Sequence, residues 1–300
     1  MLWVPRGTHP TLLAGTACLL VLAGALVHAR QAAPDAIDAE LRRLAAAGYP
    51  VVDYHVHLKG GLTLADVLRR TTEHGIKAGV AINGGLGFPA QDDASLDPFL
   101  KELEGQPVHI AFQAEGREWS RLFSPAALSR FDYLFTDAMT WSDDSGKRMR
   151  LWIKDEVGTI ADAERFMDTL VDRAVGIVTT EPIDLHVNPT FLPESIAADY
   201  DRLWTPARMD RLIGALVARG VGLEINNRYR IPSLAFVKRA KAAGVKFGCG
   251  TNNGGPGDLG RMEYCVSVIH DAGLTPSDIW TPPARGKKAI DRQVSGATRR

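Results

Sequence analysis

Tyr49-Pro50-Val51-Val52-Asp53-Tyr54-His55-Val56-His57 is an apolar run that ends in two imidazoles and gives way to the turn Lys59-Gly60-Gly61. In an extended strand, residues i and i+2 share a face. His55 and His57 therefore converge at the carboxyl end of a predicted strand over Val51 to His55 and its continuation. Two neutral imidazoles on one face are half of a site for a first-row metal ion. The plainer alternative is one buried, hydrogen-bonded histidine beside an exposed one. Leu64-Ala65-Asp66-Val67-Leu68 then opens a helix that runs to His74-Gly75, so the first unit reads strand, loop, helix.

The same unit recurs along the chain. Further strands are predicted at Ile76 to Ile82, Val108 to Ala114, Tyr133 to Ala138, Ile183 to Val187, Gly222 to Asn226 and Lys246 to Gly250. Late in the chain the helices are explicit. Met209, Leu212, Ile213, Leu216 and Val217 follow the i, i+3, i+4, i+7, i+8 spacing of one helical face. Thr205-Pro206 supplies an N-cap and a first-turn proline, and Gly220 a stop. Gly244 plays the same stopping part after Phe236 to Ala243. Strands alternating with helices imply a parallel sheet, either open or closed into a barrel. Polar residues at the carboxyl end of strand after strand favour closure, because a barrel gathers all its strand ends into one mouth. They are His55 and His57, Asn83, Glu115, Asp137, His186 and Asn188, Glu224 and Asn226, then Asn252 and Asn253. The expected fold is α/β, a distorted (βα)7 TIM-like barrel with parallel strands.

Outside the barrel the sequence is simpler. Arg6 and the uncharged apolar run Thr11 to Val27, followed by small residues, have the layout of a secretory signal peptide, with Val27-His28-Ala29 as a cleavage signal. The run is shorter than the roughly 20 residues that span a bilayer comfortably, and an uncleaved anchor is the alternative. Cys18 lies inside that run and follows no lipobox-like sequence. The expected organisation is a signal peptide or anchor over 1–29, a linker and short helix over 30–46, the barrel over 47–283, and a disordered basic tail over 284–300 after Pro282-Pro283. This implies export, to a periplasm or out of the cell, with membrane contact only if the segment stays uncleaved. The 35 basic and 35 acidic residues balance and are interspersed, which argues against nucleic acid as a partner; the expected partner is a small-molecule substrate. Cys249 and Cys265 are read as two small, mostly buried residues, although an exported chain could pair them.

From Val51 to Leu274 the pattern resembles the polymerase and histidinol phosphatase (PHP) domain family. Its most specific pieces are Asp53-Tyr54-His55-Val56-His57, Leu223-Glu224-Ile225-Asn226, and the block Lys241 to Thr251. The amidohydrolase barrels are a more distant likeness by the same opening signature. The resemblance implies a metal-dependent phosphoesterase, with amide or ester hydrolysis as the amidohydrolase-like variant. It places His55 and His57 as ligands and Glu115 as the bridging glutamate after the third strand. Elsewhere the chain departs from the family pattern. Asn83-Gly84 stands where Thr-Asp-His is expected, Asn188-Pro189 where His-Pro is, and Thr251-Asn252-Asn253-Gly254 where Ser-Asp-Ala-His is.

A neutral amide is a weak ligand and cannot bridge two cations as a carboxylate does. The expectation is therefore one divalent ion (zinc, manganese or iron) held by His55, His57 and Glu115 with His186 or Asp137. Glu115, Asp137, Glu224 and Arg228 are the catalytic candidates. Asn83, Asn188, Asn226, Asn252 and Asn253 are the substrate-binding ones. Arg228 and Arg230 are suited to binding phosphate or carboxylate. The stretch Trp141 to Arg148 reads as a lid or as a solvated loop. The competing expectation is a barrel that has lost hydrolysis and binds a small ligand through its mouth.

Overall fold

The computed structural model describes residues 36–142 and 147–297. The apolar N-terminal run, its cleavage signal, Cys18 and the middle of the polar stretch after Trp141 lie outside the described residues. Seven strands close into a barrel in the order β1 (Val52–Val56), β2 (Lys77–Gly84), β3 (His109–Ala114), β4 (Tyr133–Thr136), β7 (Leu185–His186), β8 (Gly222–Asn226) and β9 (Phe247–Gly250). Every neighbouring pair is parallel, and β9 returns to β1 through the pairing of Asp53 with Cys249. The register of β1 against β2 slips between Asp53 and Val56, just where its histidines emerge. Each of the seven predicted strands is present, several of them shorter than predicted.

Between β4 and β7 the chain adds an antiparallel hairpin, β5 (Thr140–Ser142) and β6 (Arg148–Arg150), absent from the simple alternation read in the sequence. These strands are the two ends of the stretch that reads as a lid.

Inside the barrel the floor is aromatic. Tyr54, Tyr133, Phe135 and Trp280 pack with Val52, Ala81, Ala111, Leu185 and Val187. The Tyr133 hydroxyl donates to the Tyr54 carbonyl at 2.6 Å, and the Tyr54 and Trp280 rings meet edge-on at 4.9 Å. Gly79 is required here, since a Cβ on it would lie 1.8 Å from the Tyr133 hydroxyl. This packed floor leaves only the carboxyl-terminal end of the barrel open to chemistry.

The outer helices follow their end signals. Thr63 and Asp66 form a reciprocal capping box ahead of helix Leu64–His74, and Gly75 ends it in the left-handed conformation. Helix Pro206–Arg219 starts on Thr205 and stops on Gly220 as read from the sequence. Its buried face holds Met209, Leu212, Ile213 and Leu216, while Val217 is exposed. Val217 sits at the edge of the apolar stripe, past the part that meets the sheet.

A second difference lies at the C-terminus. Where a disordered tail is expected, residues Ala289–Ala297 form a helix. Lys288 anchors it, its buried ammonium donating to the Ser129 and Phe131 carbonyls at 2.6 Å each. Asp184 accepts from the Ala289 amide at 2.9 Å. Ile290 is buried beside them. Prolines and basic residues suggest a loose tail, but a buried lysine with two carbonyl partners, the Asp184 contact and the buried Ile290 fasten it.

Candidate functional site

A cavity of about 330 Å3 opens at the carboxyl ends of the strands. Among its lining residues are His57, Lys59, Asn83, Gln113, Glu115, Asp137, Asn188, Arg228 and Asn252. Seven of the candidate residues thus meet in one place. His55, His186, Glu224, Asn226 and Asn253 do not line it, and each has a different reason.

His55 is fully buried beneath the mouth. Its Nδ1 lies 2.6 Å from Glu224 Oε1 and its Nε2 lies 3.2 Å from Gln113 Oε1. Both ring nitrogens of His55 are thus engaged by oxygens of neighbouring side chains. The second oxygen of Glu224 is also taken, accepting from the Asn188 backbone amide at 2.7 Å and from Asn226 Nδ2 at 3.0 Å. Glu224 is therefore a buried clamp that positions His55 and the β7 end, not a group facing the cavity.

His57 sits one layer higher. Its Nδ1 hydrogen-bonds to the Ala81 carbonyl at 3.0 Å, which fixes the tautomer and leaves Nε2 with the lone pair, within reach of Gln113. Burial, together with the nearby His55 and Lys59, holds its pKa well below the usual histidine value, so the ring is neutral. The rings of His55 and His57 stand 5.2 Å apart, as the i, i+2 spacing implies, but the Gln113 carboxamide serves both of them. Gln113 occupies the place in which a shared ion would be expected.

His186 points the other way. Leu185 and Val187 face the barrel interior, so the residue between them faces outward. It pairs in register with Thr136, whose hydroxyl accepts from Arg117, itself bound to Glu181. Among the described residues no side chain partners its ring; the backbone of Thr136 is a polar neighbour, and burial lowers its pKa to about 4. Asn253 is spent on the backbone. Its amide both accepts from the His57 N–H at 2.7 Å and donates to the His57 carbonyl at 2.9 Å, locking β1 to the chain after β9. Among the described residues no three histidine, cysteine or acidic side chains come together in a set that could hold a metal ion.

What the mouth does contain is a pair of carboxyl groups. Glu115 accepts from Asn83 Nδ2 at 2.8 Å and meets the Thr140 hydroxyl at 3.1 Å. Asp137 accepts from Asn188 Nδ2 and from the Met139 amide, both at 2.8 Å. Burial first, then repulsion from Asp137, pushes the Glu115 carboxyl up to about 8. Burial raises Asp137 too, against the hydrogen bonds from Asn188 and Met139 that favour its charged form. At neutral pH the Glu115 carboxyl keeps its proton. Lys59 and Arg228 stand at the rim near enough to interact, and partial burial together with Arg228 lowers the lysine pKa.

Sequence reading missed Gln113, Lys59 and Thr140. Gln113 stands in the middle of an apolar strand, where a lone amide was the available signal. Thr140 enters through the hairpin and carries no motif at all.

The cysteines also depart from expectation. Cys249 in β9 and Cys265 in helix Glu263–Asp271 form a disulfide with Cα atoms 5.9 Å apart, tying the last barrel strand to the helix that covers it. No protein-family model matches this chain, and no curated protein matches it.

Proposed function

We propose that this protein is an exported hydrolase of small anionic esters that works by proton transfer to and from its own carboxyl groups. The observation that carries the proposal is the Glu115–Asp137 pair, two buried carboxyl groups lining one cavity, both raised by burial and Glu115 pushed up to about 8. Environments that push two carboxyl groups apart in acidity divide the roles of acid and base. Asp137, stabilised as a carboxylate by the Asn188 amide and the Met139 N–H, takes a proton from the attacking water. Glu115 gives its proton to the departing oxygen. Lys59 and Arg228 at the rim offset the charge of an anionic substrate, and Asn83, Asn188 and Asn252 offer amides to its polar atoms. Export is supported by the apolar N-terminal run and by the disulfide, which suits an oxidising compartment.

A second reading has its own observation. The carboxyl groups of the mouth and the one buried beneath it each accept from a carboxamide, Glu115 from Asn83, Asp137 from Asn188 and, below them, Glu224 from Asn226. Such a saturated network also suits a barrel that binds a small ligand without turning it over.

A panel of phosphate monoesters and carboxylate esters, assayed with chelator and with added manganese or zinc, separates the readings. The expected result is turnover that survives chelation and is lost in Asp137→Asn. Binding without turnover across the panel would favour the ligand-binding barrel. Turnover that depends on stoichiometric metal, lost with that metal in His57→Ala, would overturn the side-chain mechanism and restore the metal-dependent phosphoesterase.

A further inference from the structure

Trp152 is 41% exposed, while Trp119, Trp141, Trp204 and Trp280 are buried. It follows the β5–β6 hairpin and lines two cavities at once. One is the mouth that holds Glu115 and Asp137. The other is a larger groove of about 800 Å3 beside it, walled by Leu151, Val157, Ile160, Phe191 and Tyr229. Trp152, Arg228 and Tyr229 are common to both, so the groove continues the mouth outward. Its lining is more apolar than that of the mouth. Phe191 and Tyr229 meet edge-on at 4.7 Å, which fixes their rings.

An exposed indole is costly to leave in water, and a concave apolar surface next to polar chemistry is how binding sites hold the body of a ligand. We infer that the substrate has two parts. Its anionic ester group enters the mouth beneath Arg228 and Lys59, and a flat aryl group on the leaving-group side stacks on Trp152 in the groove. The inference rests on the hydrolase reading for the word substrate, but the groove binds an aryl anion whether or not the bond is cut. The geometry selects flat rings because a tryptophan face and a fixed aromatic pair offer broad planar contact, which a short alkyl chain cannot fill.

Phenyl phosphate and methyl phosphate are the probes, with inorganic phosphate as the head group alone. Phenyl phosphate is expected to shield Trp152 from acrylamide quenching, and the other two are not. Trp152→Phe removes that signal while keeping an aromatic ring, so its affinity for phenyl phosphate stays close to that of the unaltered protein. Trp152→Ala is expected to weaken phenyl phosphate about tenfold and to leave methyl phosphate within about twofold. Equal shielding by all three anions, or a Trp152→Ala variant that binds phenyl phosphate normally, would overturn the inference. Aryl-selective binding without turnover would remove the hydrolase reading alone. Turnover of phenyl and methyl phosphate with equal KM would remove the groove alone.

Discussion

Glu115→Gln measures what the mouth costs the fold. Burial and Asp137 raise the Glu115 carboxyl from 4.5 to about 8, so between those values the folded chain keeps a proton that the unfolded chain has released. The folded state then binds more protons, and the free energy of unfolding falls as pH rises. The cost is absent below about 4.5, grows through the window and is complete above about 8. At pH 7 the gap from the unfolded value of 4.5 corresponds to about 3 kcal/mol. Glutamine has the same shape and no charge to desolvate. Its Oε1 still accepts from Asn83, and its Nε2 can donate to the Thr140 hydroxyl. The variant should therefore exceed the parent protein in stability by about 2–3 kcal/mol at pH 7, and the two should converge near pH 4.5. Urea unfolding at four pH values between 4.5 and 8 reads this directly through the transition midpoint. A Glu115→Gln protein that is less stable at pH 7, or a parent protein with flat stability across the window, would show that Glu115 is ionised and compensated when folded. The acid–base mechanism would go with it.

The remaining predictions concern what holds the site. Replacing both Cys249 and Cys265 by serine should cost about 3 kcal/mol, since the bridge spans 16 residues; an unchanged unfolding midpoint under reducing conditions would contradict that. Gln113→Leu strips the His55 Nε2 atom of its partner in a buried setting, a loss of about 1–3 kcal/mol that urea unfolding would detect. The same variant leaves His57 without the amide that reaches it, so NMR should show the two imidazole resonances shifting together; a shift confined to His55 would mean that Gln113 does not link them. Lys288→Met keeps the length of the stem but abandons the Ser129 and Phe131 carbonyls. Faster hydrogen exchange confined to Ala289–Ala297 and its contacts is expected, and unchanged protection there would show that the helix needs no lysine anchor.

The barrel was legible in the sequence because its signals are periodic and local. Seven apolar runs, helix caps such as Thr205-Pro206, and glycine stops such as Gly220 each speak for their own segment, and their agreement fixes the alternation. The convergence of candidate residues was legible for a topological reason, since a closed barrel leaves strand ends nowhere else to go. The roles of the residues were not. His55 and His57 share a face as predicted, but which atoms their ring nitrogens meet depends on Gln113 and Glu224, which lie far away in sequence. His186 was misplaced because a strand of two residues gives too short a run for alternation to be read. Asn253 looked like a ligand position, yet its amide is consumed by the His57 backbone, a contact that exists only once β9 has returned to β1.

The asparagines are where local and distant demands meet. Asn188 and Asn252 both adopt φ of 45°, the left-handed region that asparagine tolerates better than most residues with a side chain. Their backbone positions at the ends of β7 and β9 therefore favour asparagine before any ligand is considered. Once there, Asn188 donates to Asp137 and accepts from Asn226 and Asn252, so one residue links three strand ends. Amide dipoles can orient a carboxylate but cannot cancel a full charge as a cation does. Burial and the nearness of Asp137 outweigh the hydrogen bonds from Asn83 and Thr140 and the charge of Arg117, so the Glu115 carboxyl is pushed up to about 8. A mouth lined with asparagines and an acid pushed up to about 8 favours the proposed acid–base site over an inert one, because that acid is protonated at the pH where a general acid is useful.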